Sequence, residues 1–289
     1  MHPIVQGFLH HPMAKRRPLD CALRIAQWQI QSMLKSEWVK SFGISSQLFV
    51  RRGMTGATGN VYYGLHEFDE MMFLLKAMRL EDAFLDVGAN IGAYTVLVAK
   101  EIGAAVLSFE PSPITFDFLN RNVLLNQIDH LCETHQCCAG KSKGTTGFTK
   151  GLDTVNHIDP EATDNLVEVW PLDEMEINSD SIFAKIDVEG FESYVIQGGA
   201  RLFQSGRVKA LIMELNGLSD RFELDESEII SKLRAWGYNS YKYEAKTGRL
   251  FKLQASTDTN TIFIRNDSLH LIENRIRQAD CMTICRTVW

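Results

Sequence analysis

A chain of 289 residues, 45% hydrophobic and 23% charged, has the composition of a globular protein with one sizeable core, and is too short for two equal large domains. Its formal net charge of −6 argues against broad nucleic-acid binding, which needs a basic face, and suits a small-molecule partner. No run approaches the length of a bilayer span, and Met1 to Met13 carries histidines and prolines where a signal peptide needs an apolar stretch, so no membrane partner and a cytoplasmic location are expected.

Lys15-Arg16-Arg17 reads as a solvated tail. Residues 19 to 40 then place Leu19, Leu23, Ile25, Ala26, Ile30, Met33, Leu34 and Trp38 at roughly helical spacing, which predicts a helix with one buried stripe. Short strands are expected at Ser46 to Arg52 and Val61 to Leu65, around a glycine-rich connection at residues 53–60. Residues 1–65 form an extension of this helix and these strands, a lid or acceptor wall for a catalytic domain at 66–289. A helix over His66 to Leu80 delivers the chain to that domain.

Phe84-Leu85-Asp86-Val87-Gly88-Ala89-Asn90-Ile91-Gly92 runs an apolar strand into a loop before a helix that begins near Ala93. Gly88 and Gly92 let the backbone turn sharply and a ligand approach, and the helix offers unpaired N–H groups. A pyrophosphate loop reads Gly-x-Gly-x-x-Gly with side chains kept away. Asp86 and Asn90 stand here instead. An acid at this place repels phosphate and accepts from an ammonium, which favours S-adenosylmethionine over a dinucleotide. A second strand, Ala105 to Phe109, ends in Glu110, about twenty residues beyond Gly88, where an acid takes ribose hydroxyls; Pro111 stops the strand.

Helix 113–126 follows, with Asn120, Asn122 and Asn126 read as cap and surface residues. Strands are expected at Glu133 to Ala139 and Gly144 to Thr149, then a loop over 150–166 that contains Asp153, Asn156, His157 and Asp159. His157 is a candidate proton acceptor if this loop folds over the pocket. A buried strand at 181–188, a helix at 192–204, a strand at 208–215, a helix at 226–236 and an antiparallel strand pair at 238–244 and 259–265 complete the pattern. Strands and helices that alternate in this way predict a doubly wound α/β sheet of seven strands, the last two antiparallel.

Lys185-Ile186-Asp187-Val188-Glu189-Gly190 puts Asp187 at a central strand tip with Lys185 on the same side, placed to pair with a carboxylate. Glu192 starts the next helix, where an acid suits the dipole. Glu214 and Asn216 end the following strand, so Asp187, Glu214 and Asn216 are expected to converge, to position an acceptor hydroxyl and remove its proton or to hold a divalent cation such as magnesium. Among the six cysteines, Cys137 and Cys138 read as strand neighbours facing core and surface. Cys281 and Cys285 lack the second pair or added histidines of a zinc site, so no metal site is assigned.

These residues resemble the FkbM-like methyltransferases, S-adenosylmethionine-dependent enzymes of the class I Rossmann-like fold. The likeness covers roughly residues 62–216. Its carriers are Tyr63-Gly64 with Glu67, Phe84 to Gly92, Phe109-Glu110-Pro111, the Leu119 to Asn126 helix, and Lys185 to Gly190 with Glu192 and Gly198. The resemblance implies methyl transfer, most often to a sugar or natural-product hydroxyl. It implies cofactor contacts at Glu67, Asp86, Gly88, Asn90, Glu110 and Asp187, to which the adjoining Ala89, Gly92 and Pro111 are added. Asp187, Glu214 and His157 are the candidate catalytic residues, and a homo-oligomer is possible. A nicotinamide-dependent oxidoreductase and a non-catalytic cofactor-binding protein are the alternatives.

Overall fold

The computed structural model describes residues 11–52, 54–149, 157–159, 161–222, 225–254 and 260–279. Asp153, Asn156, Cys281 and Cys285 lie outside the described residues. In chain order the front segment comprises α1 (Pro12–Arg16), α2 (Pro18–Leu34), β1 (Glu37–Phe42), β2 (Ser46–Arg51), α3 (Thr55–Tyr63) and α4 (Phe68–Ala77). Then come β3 (Ala83–Val87), α5 (Ala93–Val96) with a π-helical continuation over Leu97–Ile102, β4 (Ala105–Phe109), α6 (Pro113–Leu125) and β5 (Cys132–His135). After them lie β6 (Cys138–Ala139), β7 (Gly144–Gly147), β8 (Leu166–Trp170), β9 (Ile182–Ile186), α7 (Glu192–Gly198), α8 (Ala200–Gln204) and β10 (Val208–Glu214). The last elements are α9 (Glu226–Ala235), β11 (Tyr238–Glu244), β12 (Arg249–Lys252), β13 (Asn260–Arg265) and α10 (Leu269–Gln278).

The main sheet runs β12-β11-β13-β10-β9-β3-β4-β5. From β10 to β5 its neighbours are parallel, and β13 lies antiparallel between β10 and β11. Eight strands replace the expected seven because Arg249–Lys252 returns as an edge hairpin on β11. The parallel strands read as unbroken apolar runs because both of their faces are covered. Phe84, Val106 and Phe183 pack on one side with α4, α6 and α10, whereas Leu85, Leu107 and Ala184 pack on the other with α7 and α9. β6, β8 and β7 form a separate small sheet, so the strand expected over 133–139 is divided between two sheets.

The front segment departs most from expectation. The predicted helix 19–40 ends at Leu34, and Glu37–Phe42 instead pairs with β2 in a hairpin. Residues 61–63, read as a strand, end the helix α3. Their β-forming side chains are buried by tertiary packing, with Tyr62 edge-on to Trp28, and packing overrides local propensity. Lys15-Arg16-Arg17 is no loose tail: Lys15 and Arg16 belong to α1, whose Met13 and Ala14 are buried and whose preceding His11 stacks on Tyr63 at 4.1 Å.

On α2 the buried face is the one opposite to that predicted. Cys21 and Trp28 are buried there, and Trp28 packs on Trp38 at 4.8 Å. Leu19, Leu23, Ile30, Met33 and Leu34 are all exposed.

Asn126 does cap α6, but it and Asn122 are buried rather than surface residues, and they hold the hairpin to that helix. The Phe49 N–H donates to Asn122 Oδ1 at 2.7 Å and the Gln47 N–H to Asn126 Oδ1 at 2.8 Å. The turn of the hairpin is held by Glu101, whose Oε1 accepts from the N–H groups of Ile44, Ser45 and Ser46 and from the Ser46 hydroxyl. Replacing Glu101 with Ala frees these donors and is expected to destabilise the protein by about 1 to 3 kcal/mol in urea unfolding, without touching the main-sheet tips.

Candidate active site

Four parallel strands end on the same side, and their tips line a cavity of about 360 Å³. Open α/β sheets bind ligands in the crevice beyond the carboxyl ends of their strands. The front segment contributes Asn60, His66 and Glu67, and the small-sheet side contributes Cys138, Phe148 and Ile158.

Gly88 is required here for a reason other than ligand access. Its φ is +83°, and a Cβ would stand 1.9 Å from the Asp187 carbonyl oxygen. The glycine lets the tips of β3 and β9 close together, and the Asp187 N–H donates to the Val87 carbonyl at 3.0 Å. At Gly92 a Cβ would meet Leu119 Cδ1 at 2.5 Å, so this glycine serves the packing of α6.

Glu110 is buried and acts as a clamp. Its Oε1 accepts from the Ser112 N–H at 2.9 Å and the Thr115 hydroxyl at 2.7 Å, and its Oε2 accepts from the Asn90 N–H at 2.8 Å. Burial pushes its pKa up, while those three donors pull the other way. The N–H groups of Gly88 and Ala89 donate to the Phe109 carbonyl, so the two strand-end loops are tied together.

Asp86 is also buried. Its Oδ2 accepts from the Thr95 hydroxyl at 2.6 Å, and Thr95 in turn stands 2.8 Å from the Ser108 hydroxyl. Burial pushes the Asp86 pKa up to about 6, against the opposing pull of Thr95 and Lys185. An acid whose pKa is raised on folding stabilises the fold only while it is protonated, fully below its unfolded pKa and less as pH rises through about 6. Asp86→Asn removes this dependence and can still accept from Thr95. In urea unfolding, its stability relative to the native chain is therefore expected to improve by roughly 3 kcal/mol between pH 3.5 and pH 7.5.

Lys185 is buried at the centre of these acids. Its Nζ lies 2.5 Å from Asp187 Oδ2, 3.8 Å from Glu67 Oε2 and 4.9 Å from the centre of the Tyr94 ring. Burial acts to lower its pKa, but Asp187 and Glu67 outweigh that and hold it above the usual lysine value. Burial likewise opposes the ionised form of Asp187, and Lys185 overcomes it, leaving the Asp187 pKa lowered. Glu214 is hydrogen-bonded to Asp187, and burial together with the Asp187 charge pushes its pKa up to about 8. At neutral pH the pair is therefore an ionised Asp187 that accepts from a protonated Glu214. Glu192 holds the intervening loop, since its Oε1 accepts from the Val188 and Gly190 N–H groups at 3.2 Å each.

Glu67, Asp86, Gly88, Ala89, Asn90, Glu110, Pro111, Asp187 and Glu214 all line the cavity. Asn216 does not join them: it is exposed, and its Oδ1 accepts from the Leu218 N–H at 3.1 Å. His157 is not among the lining residues, and its neighbour Ile158 faces the cavity instead. Asp187, Glu189 and Glu214 bring one carboxylate oxygen each within 4.8 Å of one another. Lys185 already neutralises Asp187 and Glu214 carries a proton at neutral pH, so this cluster offers a cation little charge.

Cys137 and Cys138 both line the cavity and both are buried, contrary to the alternation expected of strand neighbours. They sit where the chain passes from one sheet to the other, so each faces a different core. Asn60, His66, Phe148 and Ile158 had no sequence signal, because they reach the cavity only through the packing of the front segment and the small sheet.

The sheet order from β5 to β11, with β13 reversed, and the acidic strand tips define the class I methyltransferase fold. A profile of the Methyltransferase FkbM domain matches residues 86–240, more than half of the chain. The chain belongs to this family. It is 32% identical over 111 residues to Methyltransferase sdnD of Sordaria araneosa, a match that covers 36% of this chain and 43% of that protein. It is 28% identical over 156 residues to the hexuronic acid methyltransferase AglP of Haloferax volcanii, covering 52% of this chain and 62% of that protein. The chain thus matches less than two thirds of the length of either relative. The METTL16 methyltransferase domain superposes with a TM-score of 0.43 at 14% identity, covering 88% of this chain and 95% of that one. No helix among the described residues is long and apolar enough to cross a membrane.

Proposed function

We propose that this protein transfers a methyl group from S-adenosylmethionine to a hydroxyl of a sugar or natural-product small molecule. The observation that carries this reading is the charge of the cavity. Six carboxyl groups line it, from Glu67, Asp86, Glu110, Asp187, Glu189 and Glu214, and Lys185 is the one lysine or arginine among the described lining residues. With Asp187 paired to Lys185 and Glu214 protonated, the acids Glu67, Asp86, Glu110 and Glu189 still leave the cavity acidic, which repels a pyrophosphate and speaks against a nicotinamide cofactor, whereas an ammonium and a sulfonium are attracted. The cavity volume falls within the range of small-molecule sites, roughly 300 to 1,000 Å³.

When bound, S-adenosylmethionine supplies a methyl group on a good leaving group, so the protein has mainly to align donor and acceptor. Glu110 Oε2 accepts a single bond from the protein and retains capacity for one ribose hydroxyl. Asp86 and Glu67 are assigned to the methionine ammonium. Asp187 is the ionised member of its pair and is assigned the acceptor hydroxyl. Asp187 would take the hydroxyl proton as the oxygen gains the methyl group that S-adenosylmethionine would supply, with its sulfur as the leaving group.

Residues 1–65 serve as acceptor wall to the catalytic domain at 66–289, through Asn60 at the cavity. A sugar acceptor accords with the hexuronic acid methyltransferase relative and with the polar Asn60 of this wall and His66 beside it.

The test is calorimetric titration with S-adenosylmethionine, S-adenosylhomocysteine and NAD, followed by mass spectrometry of hexuronic acids, hexoses and polyols for a gain of about 14 Da. Binding of NAD with exclusion of the sulfonium would overturn the reading. Cofactor binding with no acceptor methylated would favour a binding protein. If Asp86 receives the ammonium, cofactor affinity should rise as pH is raised from 5 to 7, through its pKa of about 6, and Asp86→Asn should flatten that rise.

A further inference from the structure

The helix α2 is apolar on two opposite faces. One carries Cys21 and Trp28 into the core, and the other carries Leu19, Leu23, Ile30, Met33 and Leu34, which are 58 to 79% exposed. A helix that is apolar all round belongs in a core, and single exposed apolar residues are ordinary, but a continuous row is not. With the exposed Ala26 included, the outer row is Leu19, Leu23, Ala26, Ile30 and Met33, with successive steps of four, three, four and three residues. This is the 3.5-residue period of a seam between two helices.

We propose that this face is a self-association surface, on which α2 packs antiparallel against α2 of a second copy of the chain. The row is complementary to itself about Ala26. On a two-fold axis through that residue, Leu19 is level with the partner's Met33 and Leu23 lies one residue, about 1.5 Å along the axis, from the partner's Ile30, large against large, while the two alanines let the backbones approach at the centre. Closed two-fold dimers are the commonest assembly of soluble chains. A parallel pairing would set Arg17 against Arg17 and Asp20 against Asp20. The antiparallel one places the basic end at Lys15 and Arg17 beside the C-terminal carbonyls of the partner helix. Gln27 and Gln29 flank the middle of the row, so like charges do not oppose one another there. A membrane-surface helix would instead carry lysine or arginine along both flanks.

Sedimentation or light scattering of the full chain at tens of micromolar should give twice the 32.7 kDa chain mass, and the double variant Leu23→Glu, Ile30→Glu should give the single mass with its cofactor affinity and far-ultraviolet dichroism unchanged. Mild oxidation of Ala26→Cys should then cross-link most of the protein into dimers that reduction separates, beyond any seen for the native chain. This variant keeps the four large side chains of the row, so it keeps the test decisive should the double variant fold poorly. A monomeric native chain, a dimer that survives the double variant, or an Ala26→Cys chain that does not cross-link would each overturn the proposal. So would flotation of a monomeric native chain with anionic phosphatidylserine vesicles, which would assign the face to a lipid surface.

Discussion

Lys185→Met is expected to destabilise the folded protein by about 3 to 5 kcal/mol at pH 8, the cost of breaking a buried ion pair by removing one partner. Methionine keeps the length of the lysine stem, so the change is mainly electrostatic. Nζ touches Asp187 and approaches Glu67, and its charge also favours the ionised form of Asp86. Without it, three acids around one cavity face each other with no cation among them. The sign of the pH dependence follows from the same groups. Asp86 would have its already raised folded pKa pushed higher, and Asp187 would lose the cation that holds its pKa low, so both would bind more protons in the native state and cost more stability as pH rises. The penalty should therefore be largest at pH 8 and shrink towards pH 5. Urea unfolding of both proteins at the two pH values measures it. An equal penalty at both, or none at pH 8, would show that Lys185 does not carry the charge balance of the site.

The second large effect is expected at Glu110. Replacement by Ala should weaken S-adenosylmethionine binding by roughly 10- to 100-fold, equivalent to the loss of one or two charge-assisted hydrogen bonds. Two consequences combine. The carboxylate no longer meets the ribose, and the Asn90, Ser112 and Thr115 donors it joins are released, which loosens both strand-end loops. Glu110→Gln separates these contributions poorly, for a physical reason: if the amide oxygen serves Ser112 and Thr115, the amide nitrogen must face the Asn90 N–H, donor against donor. The glutamine variant should therefore bind much closer to the alanine variant than to the native protein. Titration calorimetry of the three proteins decides the matter, and affinities within twofold of each other would remove Glu110 from the cofactor site.

Much of the central sheet was legible in the sequence. β3, β4, β9 and β10 are buried on both faces, so each reads as an apolar run, with an acid at its end or one residue from it, Asp86, Glu110, Asp187 and Glu214, at the edge where ligands bind. Strand alternation also placed Lys185 on the side of Asp187, where the two pair. The edge strand β12 was missed because Arg249–Lys252 is mostly exposed and carries no buried pattern. The helix α10 was missed as well; only Ile272 and Ile276 of its residues are buried.

The sequence by itself determined the alternation of strands and helices, the acids at the strand tips and the membership of a methyltransferase family, because local pattern and covalent order suffice for these. Only the tertiary structure decided which face of α2 turns inward, that residues 55–63 wind into a helix, that Gly88 yields to the Asp187 carbonyl, and that Asn216 points away while Cys137 and Cys138 point in. Each of these depends on what stands opposite in space. A side chain's pattern states that it needs an apolar or polar partner, and the packing of distant segments chooses which partner that is.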